Sequence, residues 1–245
     1  MPSLPPGRLT FGQIRNFALR KAGNRAVIDD ANIWLTQLLF ELYVEWEWPF
    51  LMAVSSMQLT GPTFPLPTSP GEFLQSQDDN AFNVVTFDGQ PINPPQSVVS
   101  ETDPATFATT VVQQASGGMP RLWTADRSAG IGRVFPDPTG HVAAATLRFK
   151  FLPIADTTPP TTPTAKDALV PVFPYHLFLI QALYVIALEY EQDPRASDER
   201  QKVVQQLAAI RGTAMPLRSQ PGVVPLDPEV FGTPFTEDLS SERGQ

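Results

Sequence analysis

The chain has 245 residues, 42% of them hydrophobic, a net charge of −8 and no cysteine. That length and apolar content suit one large domain or two modest ones with a true core, and they exclude disorder throughout. The missing thiols exclude a disulfide framework, a thiolate metal site and a cysteine nucleophile, and the acidic balance argues against a protein whose main task is to grip phosphates.

The N-terminal stretch MPSLPPGRLTFGQ has no basic region followed by an apolar run of signal-peptide length, and no stretch reaches the roughly 18 apolar residues of a membrane span. The expectation is a cytoplasmic product without a membrane partner. A first helix is signalled by Thr10 with Gln13 three residues on, a capping box, and by Leu9 with Ile14 as a staple. It should end near Gly23, with Phe11, Ile14, Phe17 and Ala18 on its apolar face. The short link AGNRAVI predicts an antiparallel hairpin with the next helix. That second helix starts near residue 30, with Asp29 as cap and Ile28 and Ile33 as staple. Trp34, Leu35, Leu38, Leu39, Leu42 and Tyr43 form its buried stripe, opposite Gln37, Glu41 and Glu45. Pro49 stops it, so the stripe ends in Trp46, Trp48 and Phe50, a corner that marks the junction to the next domain.

From Ala53 the pattern turns to β: VSSMQLT, AFNVVTF, PATFATTVV, RLWTA, GRVF and AATLRFKFL alternate with Gly, Pro, Asn and Asp. Asp88-Gly89 and Asp137-Pro138-Thr139-Gly140 carry turn chemistry, and residues 61–80 read as an exposed loop. After the Pro/Thr stretch the helical period returns with Leu177, Ile180, Leu183, Tyr184 and Leu188. A last helix starts at Ser197, buries Val203, Val204, Leu207 and Ile210, and stops at Gly212. The resulting division is 1–52, a helical hairpin; 53–153, an inserted β domain; 154–172, a linker; 173–212, the completing helices; and 213–245, an extended arm. The fold class expected is α+β: an antiparallel bundle of about four helices with an inserted antiparallel β-sandwich or barrel and that arm. Prolines forbid a helix in the arm, where Leu217, Val223, Val224, Val230, Phe231 and Phe235 are spaced singly. Such a segment is either a disordered tail or a docking arm that orders on a neighbour.

Catalytic constellations are lacking. His141 and His176 are the only histidines and fall in different modules; His176, at the start of an apolar helix, reads as structural. There is no HExxH, GxSxG or phosphate loop, and no metal-ligand spacing or cofactor fingerprint. Glu45 and Glu47 beside Trp46 and Trp48 resemble a glycosidase pair on a sugar platform, but no cleft accompanies them, so an enzyme is not expected. Charge is uneven: Arg8, Arg15, Arg20, Lys21 and Arg25 precede any acidic residue, whereas acids outnumber bases from Glu189 onward. A nucleic-acid patch is one reading. The preferred one is an inter-subunit pairing of Arg15, Arg20, Lys21 and Arg25 with an acidic face carrying Glu189 and Glu191.

Taken together, the helix pair ending in Trp48-Pro49-Phe50, the β insertion, GGMPRLW, VFPDPTG, ATLRFKFLP and LVPVFPYHLFLIQALYVIALEYEQDPRASDERQKV resemble the head-to-tail adaptor, or connector, proteins of tailed bacteriophages over about residues 10–211. The resemblance implies a non-enzymatic virion protein without cofactor, made in the host cytoplasm and located in the neck. It implies a homo-oligomeric ring, commonly of twelve copies, docked on the portal protein partly through the C-terminal arm and holding a tail nozzle or tail-fibre protein. Genomic DNA would pass through the ring without sequence-specific binding, which an acidic lining favours. The larger β region, 53–153, and the stretch 61–80 depart from the simplest members. A β-sandwich carbohydrate- or receptor-binding tail component is the alternative reading, and a glycan hydrolase the third.

Overall fold

The computed structural model describes residues 8–23, 28–75, 81–100, 107–108, 118–162 and 164–214. The first helix, α1 (Phe11–Lys21), opens with the expected box: Thr10 Oγ1 accepts from the Gln13 N–H at 3.3 Å and Gln13 Oε1 accepts from the Thr10 N–H at 2.9 Å. In α2 (Ile28–Glu45) the stripe from Trp34 to Tyr43 is buried as its period requires. The helix already includes Ile28, and both Ile28 and Ile33 are half exposed, so the staple does not close on the core. Pro49 then starts a single 3-10 turn, Pro49–Leu51, that feeds directly into the first strand.

Eight strands follow among the described residues: β1 (Met52–Leu59), β2 (Thr63–Pro65), β3 (Glu72–Leu74), β4 (Phe82–Phe87), β5 (Gln90–Ser100), β6 (Leu122–Asp126), β7 (Ile131–Phe135) and β8 (Ala143–Leu152). Their order is β1-β8-β4-β5-β6-β7-β2, with β3 also against β8, in one nearly closed, barrel-like sheet. All pairs are antiparallel except β5 with β6, where Val99 faces Leu122 and Ser100 faces Trp123. Asp88 and Gly89 make the β4–β5 hairpin turn with φ of 50° and 76°, the left-handed pair such a two-residue turn requires. The interior is filled by side chains. Phe64 stacks on Phe82 at 5.5 Å, and Trp123 packs against both. Gly132 lies so close under Phe64 that a Cβ there would sit 2.1 Å from its ring.

Three more helices follow among the described residues: α3 (Ile154–Thr157), α4 (His176–Tyr190) and α5 (Ala196–Ala214), the last running past Gly212. α4 is buried on most of its circumference, although Leu177 at its start is exposed, and α1, α2 and α5 all pack on it.

The expected bundle of about four helices with an inserted sandwich is therefore corrected. The described residues form a mixed α+β fold of five helices and one eight-stranded, nearly closed sheet. Two physical reasons account for the difference. The first two helices are not chiefly each other's partners, because α1 packs more on α4 than on α2, and the helical core closes on Leu51 and Leu152 at the ends of the sheet region. The stretch read as an exposed loop contributes β2 and β3, each only three residues long and each anchored by one buried ring, Phe64 or Phe73. Long-range pairing with β7 and β8, not local pattern, makes strands of them.

Candidate functional site

The sharpest concentration of unusual side chains lies where α2 hands over to β1. Trp48 is fully buried, its Nε1 donating to the Leu42 carbonyl at 2.7 Å, so the indole caps the last turn of the helix from which it departs. Its ring stacks on Phe50 at 5.6 Å and meets Phe173, from the segment before α4, edge-on at 5.3 Å. Trp46 is buried under the Arg211 guanidinium, which lies over its face and ties the end of α5 to the end of α2.

Two buried polar clamps fix this corner. Lys150, on β8, turns toward the helices and donates to the Val44 carbonyl at 2.7 Å, at the negative end of α2. Burial lowers its pKa to about 8, against the opposing pull of Glu47. The unfolded chain therefore holds this proton more tightly between pH 8 and the ordinary lysine value, so stability should rise with pH across that window. Thermal midpoints of wild type and Lys150→Met, measured from pH 7 to 10.5, should show the rise in wild type and its loss in the variant.

In the second clamp the Tyr43 hydroxyl donates to Asp156 Oδ2 at 2.6 Å and accepts from the Phe173 N–H at 2.9 Å, while the Val172 N–H donates to the same Oδ2 at 2.7 Å. Lys166 donates to the Asp156 carbonyl at 3.0 Å. Burial pushes the Asp156 carboxyl up, against the hydrogen bonds from Tyr43 and Val172, and burial followed by Asp156 pushes Tyr43 up. The stretch read as a Pro/Thr linker is thereby fastened to α2. Its Asp167 also receives both guanidinium nitrogens of Arg15, at 2.7 and 2.9 Å. The local sequence pattern marks these acids only weakly, by one aspartate directly after the apolar strand end FLPIA.

The residues expected to meet a neighbouring subunit fall in different settings. Arg15 is buried on Asp167 and Asn32, and Lys21 is held inside the subunit by Gln181 and over the Tyr184 ring. Glu189 pairs with Arg200 at 3.5 Å, and burial raises its pKa. Arg20 and Glu191 are exposed, and Arg25 lies outside the described residues. So do the arm positions Leu217, Val223, Val224, Val230, Phe231 and Phe235. Trp46, Trp48, Pro49 and Phe50 come together at the corner as described.

Glu45 is exposed and accepts from Trp46 Nε1 at 3.2 Å, and Glu47 lies by the Lys150 ammonium. His176 Nδ1 accepts from the Leu9 N–H at 2.6 Å, and burial lowers its pKa, which keeps the imidazole neutral. His141, the other histidine, hydrogen-bonds Asp88 at 2.7 Å at the surface, far along the chain from His176. Among the described residues no cluster of acids and histidines is placed to hold a metal ion, and no helix is long and apolar enough to cross a membrane. The arrangement fixes one element against another through hydrogen-bonded polar groups. No protein-family model matches the chain, and no characterised protein matches it in sequence.

Proposed function

We propose that this chain is a structural virion protein: a head-to-tail adaptor that forms a ring on the capsid portal and joins it to the tail. The observation that carries the reading is the corner at Trp48. A connector has to transmit orientation, and here an aromatic cluster around the fully buried Trp48 and Phe173, with the Lys150–Val44 clamp from sheet to helix and the Tyr43–Asp156 clamp behind it, supports one fixed setting of the helical layer on the barrel. The order of motifs that resembles the adaptor family, from Trp48-Pro49-Phe50 to Asp193-Pro194, supports the same reading. So does the charge, because a ring of chains each carrying −8 would repel phosphates and let genomic DNA pass without adhering. In this proposal the partners are further copies of the chain, the portal, and a tail nozzle or fibre protein, and the place is the neck of the virion.

The test is binding to a purified portal ring, followed by mass photometry and negative-stain imaging. Full-length protein should decorate the portal as a closed ring, and a chain ending at Ala214 should keep its thermal midpoint but bind more weakly, by tenfold or more. A protein that never binds portal overturns the adaptor reading, and unchanged affinity after truncation overturns the docking role of residues 215–245.

A further inference from the structure

The two N-terminal helices each present an outer face that does not join the core. On α2, Ile33, Phe40 and Val44 are 53%, 45% and 44% exposed, and with Gln37 they follow the four-three-four spacing of a helix–helix seam. Isolated exposed apolar residues are ordinary; three large ones aligned on one helix are not. On α1, Gln13, Phe17 and Arg20 follow the matching four-three spacing, and Phe17 is 47% exposed.

The charges of the two helices are opposite. α1 carries Arg15, Arg20 and Lys21 and no acid, whereas α2 carries Asp29, Asp30, Glu41 and Glu45 and no base. Of the α1 cations, Arg15 and Lys21 are engaged within the subunit, so Arg20 is the one that flanks Phe17 outward. The shorter face fits within the longer: three α1 positions span about 10 Å and the α2 stripe about 16 Å at roughly 1.5 Å per residue.

We infer that the occupant of these faces is a second copy of this chain, with the Phe17–Arg20 face of α1 on one copy seated on the Ile33–Phe40–Val44 stripe of α2 on the next. The argument is complementarity of sign and of apolar spacing between two faces that every copy carries. A contact of this kind is head-to-tail, so it propagates, and it closes into a ring when the rotation per copy allows. The ring itself rests on the adaptor reading; the pair of faces does not.

The absence of native cysteines makes the test clean. Phe17→Cys is mixed with Ile33→Cys, Phe40→Cys or Val44→Cys and treated with a short bismaleimide, both free in solution and on the portal ring. These side chains are exposed, so the variants should keep the wild-type thermal midpoint. At least one mixture should give covalent dimer at several times the yield of either variant alone. Arg20→Glu in the Phe17→Cys background, or added salt, should cut that yield several-fold. The inference is overturned if no mixture cross-links in either setting, or if single variants cross-link as well as mixtures do. It is also overturned if cross-links appear only after residues 215–245 are removed, which would make the arm the occupant. Cross-linked open chains that never close would leave the faces standing and count against the ring; closed rings without these cross-links would do the reverse.

Discussion

Replacing Trp48 with alanine should lower the unfolding free energy by about 3–5 kcal/mol, the range for removing a large aromatic from a closed core. The side chain is fully buried, touches both Phe50 and Phe173, and supplies the donor that satisfies the Leu42 carbonyl. Trp48→Phe keeps most ring contacts and loses the donor, so it should cost about 1–3 kcal/mol, the penalty of one unmet buried acceptor. Urea unfolding monitored by circular dichroism checks both. A midpoint for Trp48→Ala equal to that of wild type would remove Trp48 from the core and make the corner a surface feature.

Asp156→Ala should be nearly as damaging, by about 2–4 kcal/mol, because the Tyr43 hydroxyl and the Val172 N–H both lose their buried acceptor. Asp156→Asn retains an acceptor oxygen without the charge whose burial is unfavourable, and should lie within about 1 kcal/mol of wild type at pH 7. The pH dependence separates the two effects. Burial raises the folded-state pKa of Asp156 above its unfolded value, so its contribution to stability is complete below the unfolded value and is lost as pH rises through the folded one. Asp156→Asn should flatten that part of the stability curve relative to wild type. If the asparagine variant were as unstable as the alanine variant, the carboxylate charge, not the acceptor, would be what the clamp needs.

Features governed by neighbours in sequence were legible. The Thr10–Gln13 box, the Trp34–Tyr43 stripe, the Asp88-Gly89 turn and the Asp137–Gly140 turn all follow from local geometry, and each forms. Features fixed by distant pairing were not. β2 and β3 have one anchoring ring apiece, and β5 carries Pro94 and Pro95 within a strand, so no period marks any of them. Lys150 reads as the outward member of an alternating strand, yet it is buried because the end of α2 lies over it. The same applies to Ile33, which sequence assigns to a staple and the structure leaves on an open face. The Trp48 corner was visible from Pro49 alone; its clamp was not, since Asp156 finds Tyr43 only in three dimensions.

β8 is the strand on which the sheet converges, with β1, β3 and β4 all paired to it and all made before it. During translation, at roughly 5–20 residues per second, the roughly 90 residues separating β1 from its β8 partner take on the order of 5 to 20 s to appear. For that interval MAVSSMQL, eight residues without a charge or a proline, leaves the ribosome with both edges unsatisfied. The barrel is thus completed late in synthesis, and the yield of native protein depends on how quickly residues 143–152 arrive and on how well nascent β1 is shielded until they do.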